Sequence, residues 1–325
     1  MAKAMRIHEV GGPEVLRWEE VTLGPPGPTE VKIRHEFCGL NFIDVYHRNG
    51  LYPVRRPFTL GSEGAGVVSE VGAEVRDLVV GDRVAYAGGP PGAYSEERLL
   101  PADRAVKLPE GIDTRAAASM MLKGMTAQYL LRQTIRVEPG DTILFHAAAG
   151  GVGLIACQWA KHLGATVIGT AGSEEKAALA RAHGCDHVIE YKRDPFPAKL
   201  RELTQGKGVR VVYDSVGKDT FLGSLDCLMP RGLLALFGQS SGSVPPFDPA
   251  LLAAKGSLYL TRPTLNAYIA TRATLLATAN DLFDVVKSGA VKIGPSRIVP
   301  LATAADAHRA IEARETTGST VFAVG

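Results

Sequence analysis

The sequence predicts an α/β protein in which an all-β, barrel-like module is joined to a doubly wound parallel sheet. Three observations carry that prediction. The N-terminal third alternates short β-type runs with glycine and proline, strands and helices alternate from about Thr126, and Asp141 to Lys176 joins a strand, a glycine-rich turn, a helix and a second strand.

The elements follow in order. Val31 to Arg34, Gly64 to Val71 and Asp82 to Tyr86 are rich in β-branched and aromatic residues and read as strands, while the run Gly24 to Pro28, GPPGP, reads as a loop. Thr142 to Phe145, Thr166 to Thr170, His187 to Glu190, Val209 to Tyr213, Gly232 to Phe237 and Ser257 to Thr261 read as six strands of one doubly wound sheet. After Pro263 the spacing predicts a long helix over Tyr268 to Ser288, then extended segments at Ile298 to Pro300 and Ser319 to Val324. The 325 residues suffice for about two domains, each with its own core.

The stretch around Gly150 is the most informative. Glycines where a strand meets a helix let the backbone approach a phosphate, and the helix N-terminus faces it with free N–H groups and a partial positive charge. Gly150, Gly151, Val152 and Gly153 are therefore assigned to a dinucleotide pyrophosphate, the alternative being a tight turn with no ligand. The full fingerprint places a glycine where this chain has Ala148. An acidic residue about 20 positions after the glycines grips the ribose 2′-hydroxyl of NAD in such folds. Here the second strand ends in Gly169-Thr170-Ala171-Gly172-Ser173, which leaves a 2′-phosphate unopposed, with the Ser173 hydroxyl and Lys176 available to hold it. NADPH is the expected cofactor.

Composition narrows the partners. With 46% hydrophobic residues and a formal charge of +2, the chain shows neither the basic stripe of a nucleic-acid binder nor an apolar run of membrane-spanning length. Cys38, Cys157, Cys185 and Cys227 are too scattered for a disulfide framework or a zinc lobe, so buried thiols and cytoplasmic residence are expected.

Five segments carry a family resemblance: CGLNFIDVYHRNGLYP from Cys38, LGSEGAG from Leu60, VGDRV from Val80, HAAAGGVGLIACQWAK from His146 and VVYDSVG from Val211. Together, and in colinear order, they resemble the medium-chain dehydrogenase/reductase superfamily, in particular its zinc-independent quinone oxidoreductases of the zeta-crystallin-like branch. The resemblance implies a GroES-like catalytic domain built from residues 1–125 and 264–325, a Rossmann NADPH-binding domain over 126–263, and a cleft at their junction. It implies further that Thr126 lies near the nicotinamide, that Tyr191 stacks on the adenine, and that Arg314 reaches the phosphates. Ser215, Phe237, Gly238, Ser240, Leu260 and Arg262 would border the cofactor, and the strand before Pro263, a sheet edge, would pair two copies into a homodimer.

Zinc members of that superfamily place a ligand cysteine where this chain has Asn41 and a ligand histidine where it has Ser62. An amide and a hydroxyl are poor zinc donors, so no metal is expected, and His8, His35 and His47 are too scattered to replace them. Hydride addition to an aldehyde leaves a strongly basic alkoxide, whereas addition to a quinone leaves a phenolate-type oxygen whose pKa is about 10. Hydrogen bonds can stabilise that charge, and the resemblance offers Asn41, Tyr46 and Tyr52 as catalytic donors, with ring positioning or packing as the alternative roles of the tyrosines. A small-molecule quinone is the expected substrate. An enone or 2-alkenal reductase is the nearest rival, and a non-catalytic NADPH- or RNA-binding protein is a rival of another class.

Overall fold

Strand Glu30–Gly39 is the spine of the first module, because its Val31, Ile33 and Cys38 are wholly buried. In the computed structural model, which describes residues 2–325, Glu63–Val71 lies antiparallel along one side of this strand. Glu97–Pro101 pairs with its first half and Ser319–Ala323 with its second, so the end of the chain completes a sheet begun near its start. Seven strands make this sheet, and Ala2–Ile7, Leu16–Val21 and Phe58–Thr59 make a second, of three. Ile7, Ile33, Leu60, Val84, Tyr94 and Phe322 fill the core, each contributing about 1.5–3 kcal/mol if buried side chains follow the usual area rule.

Two compact units result: Met1–Met125 with Tyr268–Lys287 and Ile293–Gly325, and Thr126–Ala267 with Ser288–Lys292. In the second, Thr142–Phe145, Thr166–Ala171, His187–Glu190, Val209–Asp214, Leu228–Leu236 and Tyr259–Thr261 form one parallel sheet. Numbered along the chain, these six strands lie in the order 3-2-1-4-5-6, the doubly wound arrangement of dinucleotide-binding folds. The GroES-like and Rossmann architecture expected from the sequence is the one observed.

The local differences have local causes. The long helix expected over Tyr268 to Ser288 is Arg272–Lys287, with a short helix, Leu265–Tyr268, before it. Thr271 sets its start, since its hydroxyl accepts the Thr274 N–H at 3.2 Å while the Thr274 hydroxyl accepts the Thr271 N–H at 3.1 Å, a reciprocal cap. The strand read from Gly232 begins at Leu228, through a register irregularity. Helices Phe42–Arg48, Thr114–Tyr129 and Ala304–Glu312 come in addition to the elements expected from the sequence. All four cysteines are free and buried.

Candidate active site

In the second unit every strand of the sheet runs the same way, so the residues that follow the strands gather at one edge, where doubly wound sheets bind ligands. Gly150 to Gly153 follow the first strand, Gly172, Ser173 and Lys176 the second, and Tyr191 the third. Ser215 follows the fourth, Phe237, Gly238 and Ser240 the fifth, while Leu260 and Arg262 lie in and after the sixth.

Ile143, Leu144 and Phe145 of the first strand are buried between its neighbours, and the strand is followed by His146, whose Nδ1 and Nε2 lie 3.0 Å from the hydroxyls of Thr170 and Ser224. Burial lowers the pKa of this imidazole. The chain turns at Ala147, where φ is 53°, and enters helix Gly151–His162 at Gly150, which has no side chain to cap it. The amides of the first helical turn have no intrahelical acceptor, so they present hydrogen-bond donors and the positive end of a helix of 12 residues. A methyl group on Gly153 would stand 2.5 Å from the Ala147 carbonyl oxygen, so only glycine lets this helix sit so close to its turn.

The alanine that departs from the fingerprint is accommodated by the next strand. A Cβ on Gly169 would lie 2.7 Å from the Ala148 methyl and 2.8 Å from Cys185 Sγ, so the side chain gained at 148 occupies the space vacated at 169.

Beyond that strand, the Ser173 hydroxyl accepts the Lys176 N–H at 3.4 Å and starts helix Glu174–Ala182. Glu174 is engaged by Arg181 at 2.9 Å, and the exposed Ser173 and Glu175 and the half-buried Lys176 share this turn. Tyr191 donates its N–H to the Ala171 carbonyl at 3.2 Å, and its hydroxyl stands 2.7 Å from where a Gly172 Cβ would be. Ser215, Phe237, Gly238 and Ser240 are brought together by Asp214, whose carbonyl accepts the N–H of Phe237 at 2.8 Å, and by Ser215, whose carbonyl accepts that of Ser240 at 3.1 Å. The Phe237 ring reaches back to Phe145, 5.7 Å between centroids. A capless helix start, a hydroxyl with a lysine after the second strand, and an aromatic ring after the third fit the pyrophosphate, 2′-phosphate and adenine of NADPH.

In the first unit Asn41 is buried at the start of helix Phe42–Arg48. Its amide nitrogen donates to Glu63 Oε2 at 2.8 Å and to the Gly39 carbonyl at 3.3 Å, so the hydrogens that a substrate carbonyl would accept are used within the protein. Asp44, in the first turn of that helix, accepts from the Asn41 N–H at 3.0 Å, the Ser62 hydroxyl at 2.7 Å and the Tyr94 hydroxyl at 2.9 Å. Burial nonetheless pushes its carboxyl up to about 6. Tyr46 is buried and Tyr52 half-buried, with their rings edge to face at 5.1 Å and Phe42 and His47 alongside. Thr126 is buried in helix Thr114–Tyr129, and Arg314 is an exposed residue of the first unit, with φ of 59° beyond helix Ala304–Glu312.

Sequence reasoning passed over Glu63, Lys123 and Tyr94. Glu63 is fully buried and ion-paired with the buried Lys123 at 3.0 Å. Its own signal was present, an acidic residue in the glycine-rich run LGSEGAG, as was that of Lys123, a lone cation in the apolar run MMLKGM. The positions held by zinc ligands in the superfamily thus carry an amide bound to Glu63 and a hydroxyl bound to Asp44. Among the described residues no three His, Cys, Asp or Glu side chains are grouped to hold a metal.

A GroES-like module joined to a doubly wound sheet with a glycine turn at the first strand defines an oxidoreductase of the medium-chain dehydrogenase/reductase type. A family model for the alcohol dehydrogenase GroES-like domain matches residues 27–110, and one for zinc-binding dehydrogenase matches residues 151–276. The chain is 54% identical to a quinone oxidoreductase of Pseudomonas aeruginosa and 49% identical to a 2-haloacrylate reductase of a Burkholderia species, covering 99% of each chain in both cases. It superposes on the crystal structure of Escherichia coli quinone oxidoreductase complexed with NADPH with a TM-score of 0.97, at 48% identity and 99% coverage of both chains. The chain belongs to the quinone oxidoreductase family of the medium-chain dehydrogenase/reductase superfamily.

Proposed function

We propose that this chain is an NADPH-dependent, zinc-independent reductase of quinones. The observation that carries the reading is the full-length identity to quinone oxidoreductases at 48–54%, supported by a parallel sheet whose strands are followed by the glycine turn, Ser173, Lys176 and Tyr191. Bound NADPH supplies the hydride. Gly150 brings the backbone close and the amides of Gly151, Val152 and Gly153 hold the pyrophosphate, Gly172 admits the ribose, and Ser173 and Lys176 hold the 2′-phosphate. Tyr191 stacks on the adenine; Ser215, Phe237, Gly238, Ser240, Leu260 and Arg262 border the dinucleotide; Thr126 and Arg314 complete its contacts. In this reading residues 126–263 are the cofactor domain, and residues 1–125 with 264–325 the catalytic one.

Tyr46 and Tyr52 act on the acceptor. Their edge-to-face rings offer an aromatic wall to a flat quinone, and a phenol O–H suits the oxygen on which negative charge develops. Asn41 and Ser62, both committed to carboxylates, give no thiolate or imidazole donor for zinc. Two copies pair through Tyr259–Thr261, an edge strand whose Tyr259 is 62% exposed. Four free, buried cysteines suit a reducing cytoplasm.

A second reading is favoured by the 49% identity to a 2-haloacrylate reductase: hydride delivery to an activated carbon–carbon double bond. Both acceptors are conjugated carbonyl compounds and need the same polarisation. Steady-state oxidation of NADPH and NADH with 1,4-benzoquinone, and separately with 2-chloroacrylate, in buffer containing a chelator decides between them. Chelator-insensitive NADPH turnover with the quinone supports the first reading, turnover confined to chloroacrylate selects the second, and absence of both defeats the enzyme assignment.

A further inference from the structure

Glu63 is held from three directions in the first unit. Its Oε1 accepts the N–H of Leu122 at 2.8 Å, inside helix Thr114–Tyr129, so a carboxylate enters the hydrogen-bond ladder of that helix. Its Oε2 accepts from Asn41 Nδ2 at 2.8 Å and from Lys123 Nζ at 3.0 Å. The seat is tight: a Cβ on Gly39 would come within 2.1 Å of Oε2 and 2.4 Å of the Ala118 carbonyl oxygen. Both groups nearest the Asn41 nitrogen, the carboxylate and the Gly39 carbonyl, are acceptors, so the amide has one sense only, nitrogen toward Glu63 and oxygen toward the start of helix Phe42–Arg48.

Burying two opposite charges is costly, and well-packed apolar residues of the same volume are commonly as stabilising. The pair therefore has little to offer as a source of stability, whereas its contacts converge on Asn41. We propose that Lys123 and Glu63 are positioning residues for the reductase site: Lys123 holds Glu63 in place, and Glu63 fixes the orientation of the Asn41 amide. This rests on the family resemblance, which puts Asn41 at the reductase site, and on Asn41 acting there by position, since its amide hydrogens are taken by Glu63 and Gly39. The other titratable groups around Glu63 are Cys38, Tyr86 and Tyr94, all kept neutral by burial, and Asp44, which also feels the Lys123 charge.

The test compares wild type, Lys123→Met, Glu63→Gln and the double variant. Lys123→Met removes one of the two side chains that hold Glu63 Oε2, leaving the carboxylate free to move away from the Asn41 amide. Turnover of Lys123→Met is expected to fall about a hundredfold. The double variant, in which a neutral glutamine carbonyl accepts from Asn41, is expected to regain at least about tenfold of the lost turnover. Undiminished turnover in a folded Lys123→Met, or a folded double variant no more active than Lys123→Met, would overturn the proposal. The side-chain amide resonances of Asn41 in the cofactor-free protein provide a readout independent of turnover: they are expected to shift in Lys123→Met and return in the double variant. If wild type reduces neither acceptor, the functional reading fails, while these resonances still decide the pair.

Discussion

Tyr94 donates its hydroxyl hydrogen to Asp44 at 2.9 Å in the interior of the first unit, 50 residues away along the chain. The Asp44 carboxyl is raised to about 6 because burial outweighs the donors around it. A carboxyl whose pKa is higher in the folded than in the unfolded state contributes stability below the unfolded value, near 4, and loses it as pH rises to about 6. Stability is therefore expected to fall across that window by up to about 3 kcal/mol from this group. Tyr94→Phe removes a hydrogen bond to a charged acceptor at neutral pH and to a neutral one in acid. The expected cost is about 1.5–3 kcal/mol at pH 8 and about 1 kcal/mol at pH 4.5, measured by urea unfolding at both values. An equal cost at the two would show that Asp44 does not titrate there.

The substitution of the fingerprint glycine by Ala148 leads to a compensation test. Gly169→Ala puts a methyl 2.7 Å from that of Ala148 and 2.8 Å from Cys185 Sγ, and is expected to destabilise by about 1–3 kcal/mol. Adding Ala148→Gly is expected to recover part of the loss, the contact with Cys185 remaining. Unfolding of the two variants and their double measures the coupling, and simple additivity of the two effects would mean that the sites do not share the space.

These two sites mark what was legible in the sequence. The glycine turn and the sheet are written in local patterns, apolar runs of strand length separated by helical ones, and each of the six strands lay within a few residues of its expected place. The Asp44 and Glu63 clusters are different: Ser62, Tyr94 and Lys123 are brought to them by sheet pairing and by a helix that follows more than 50 residues later. No short window contains both a carboxylate and its partners. Asn41 was singled out as the residue replacing a zinc ligand, but the direction of its amide depends on Glu63, which only the fold brings within 2.8 Å. Helix Arg272–Lys287 starts through the pair Thr271 and Thr274, which no periodicity reveals.

Gly153→Ala tests the helix start. The added methyl meets the carbonyl oxygens of Ala147 and Ala148 at 2.5 and 2.6 Å, which are backbone atoms and cannot rotate away. The helix must shift outward, carrying with it the amides assigned to the pyrophosphate. NADPH affinity, followed by quenching of nucleotide fluorescence, is expected to weaken at least about tenfold, since a displacement of about 1 Å misplaces several donors together. A variant that folds normally and binds NADPH as tightly as wild type would remove the glycine turn from the site.

Lys176→Ala tests the cofactor preference. If Lys176 and Ser173 hold a 2′-phosphate, removing the ammonium costs one charge-assisted hydrogen bond, about 1.5–3 kcal/mol, or about 10- to 100-fold in NADPH affinity. NADH lacks that phosphate, so its KM is expected to stay within about twofold. The loss with NADPH should shrink as salt is raised, because the turn after Ala171 is open to solvent at Ser173 and a surface charge is screened. The measurement is kcat/KM for both nucleotides at low and high ionic strength. A parallel loss with NADH and NADPH would place Lys176 in the packing of helix Glu174–Ala182, where its N–H already meets the Ser173 hydroxyl, and would return the choice between the two nucleotides to other residues.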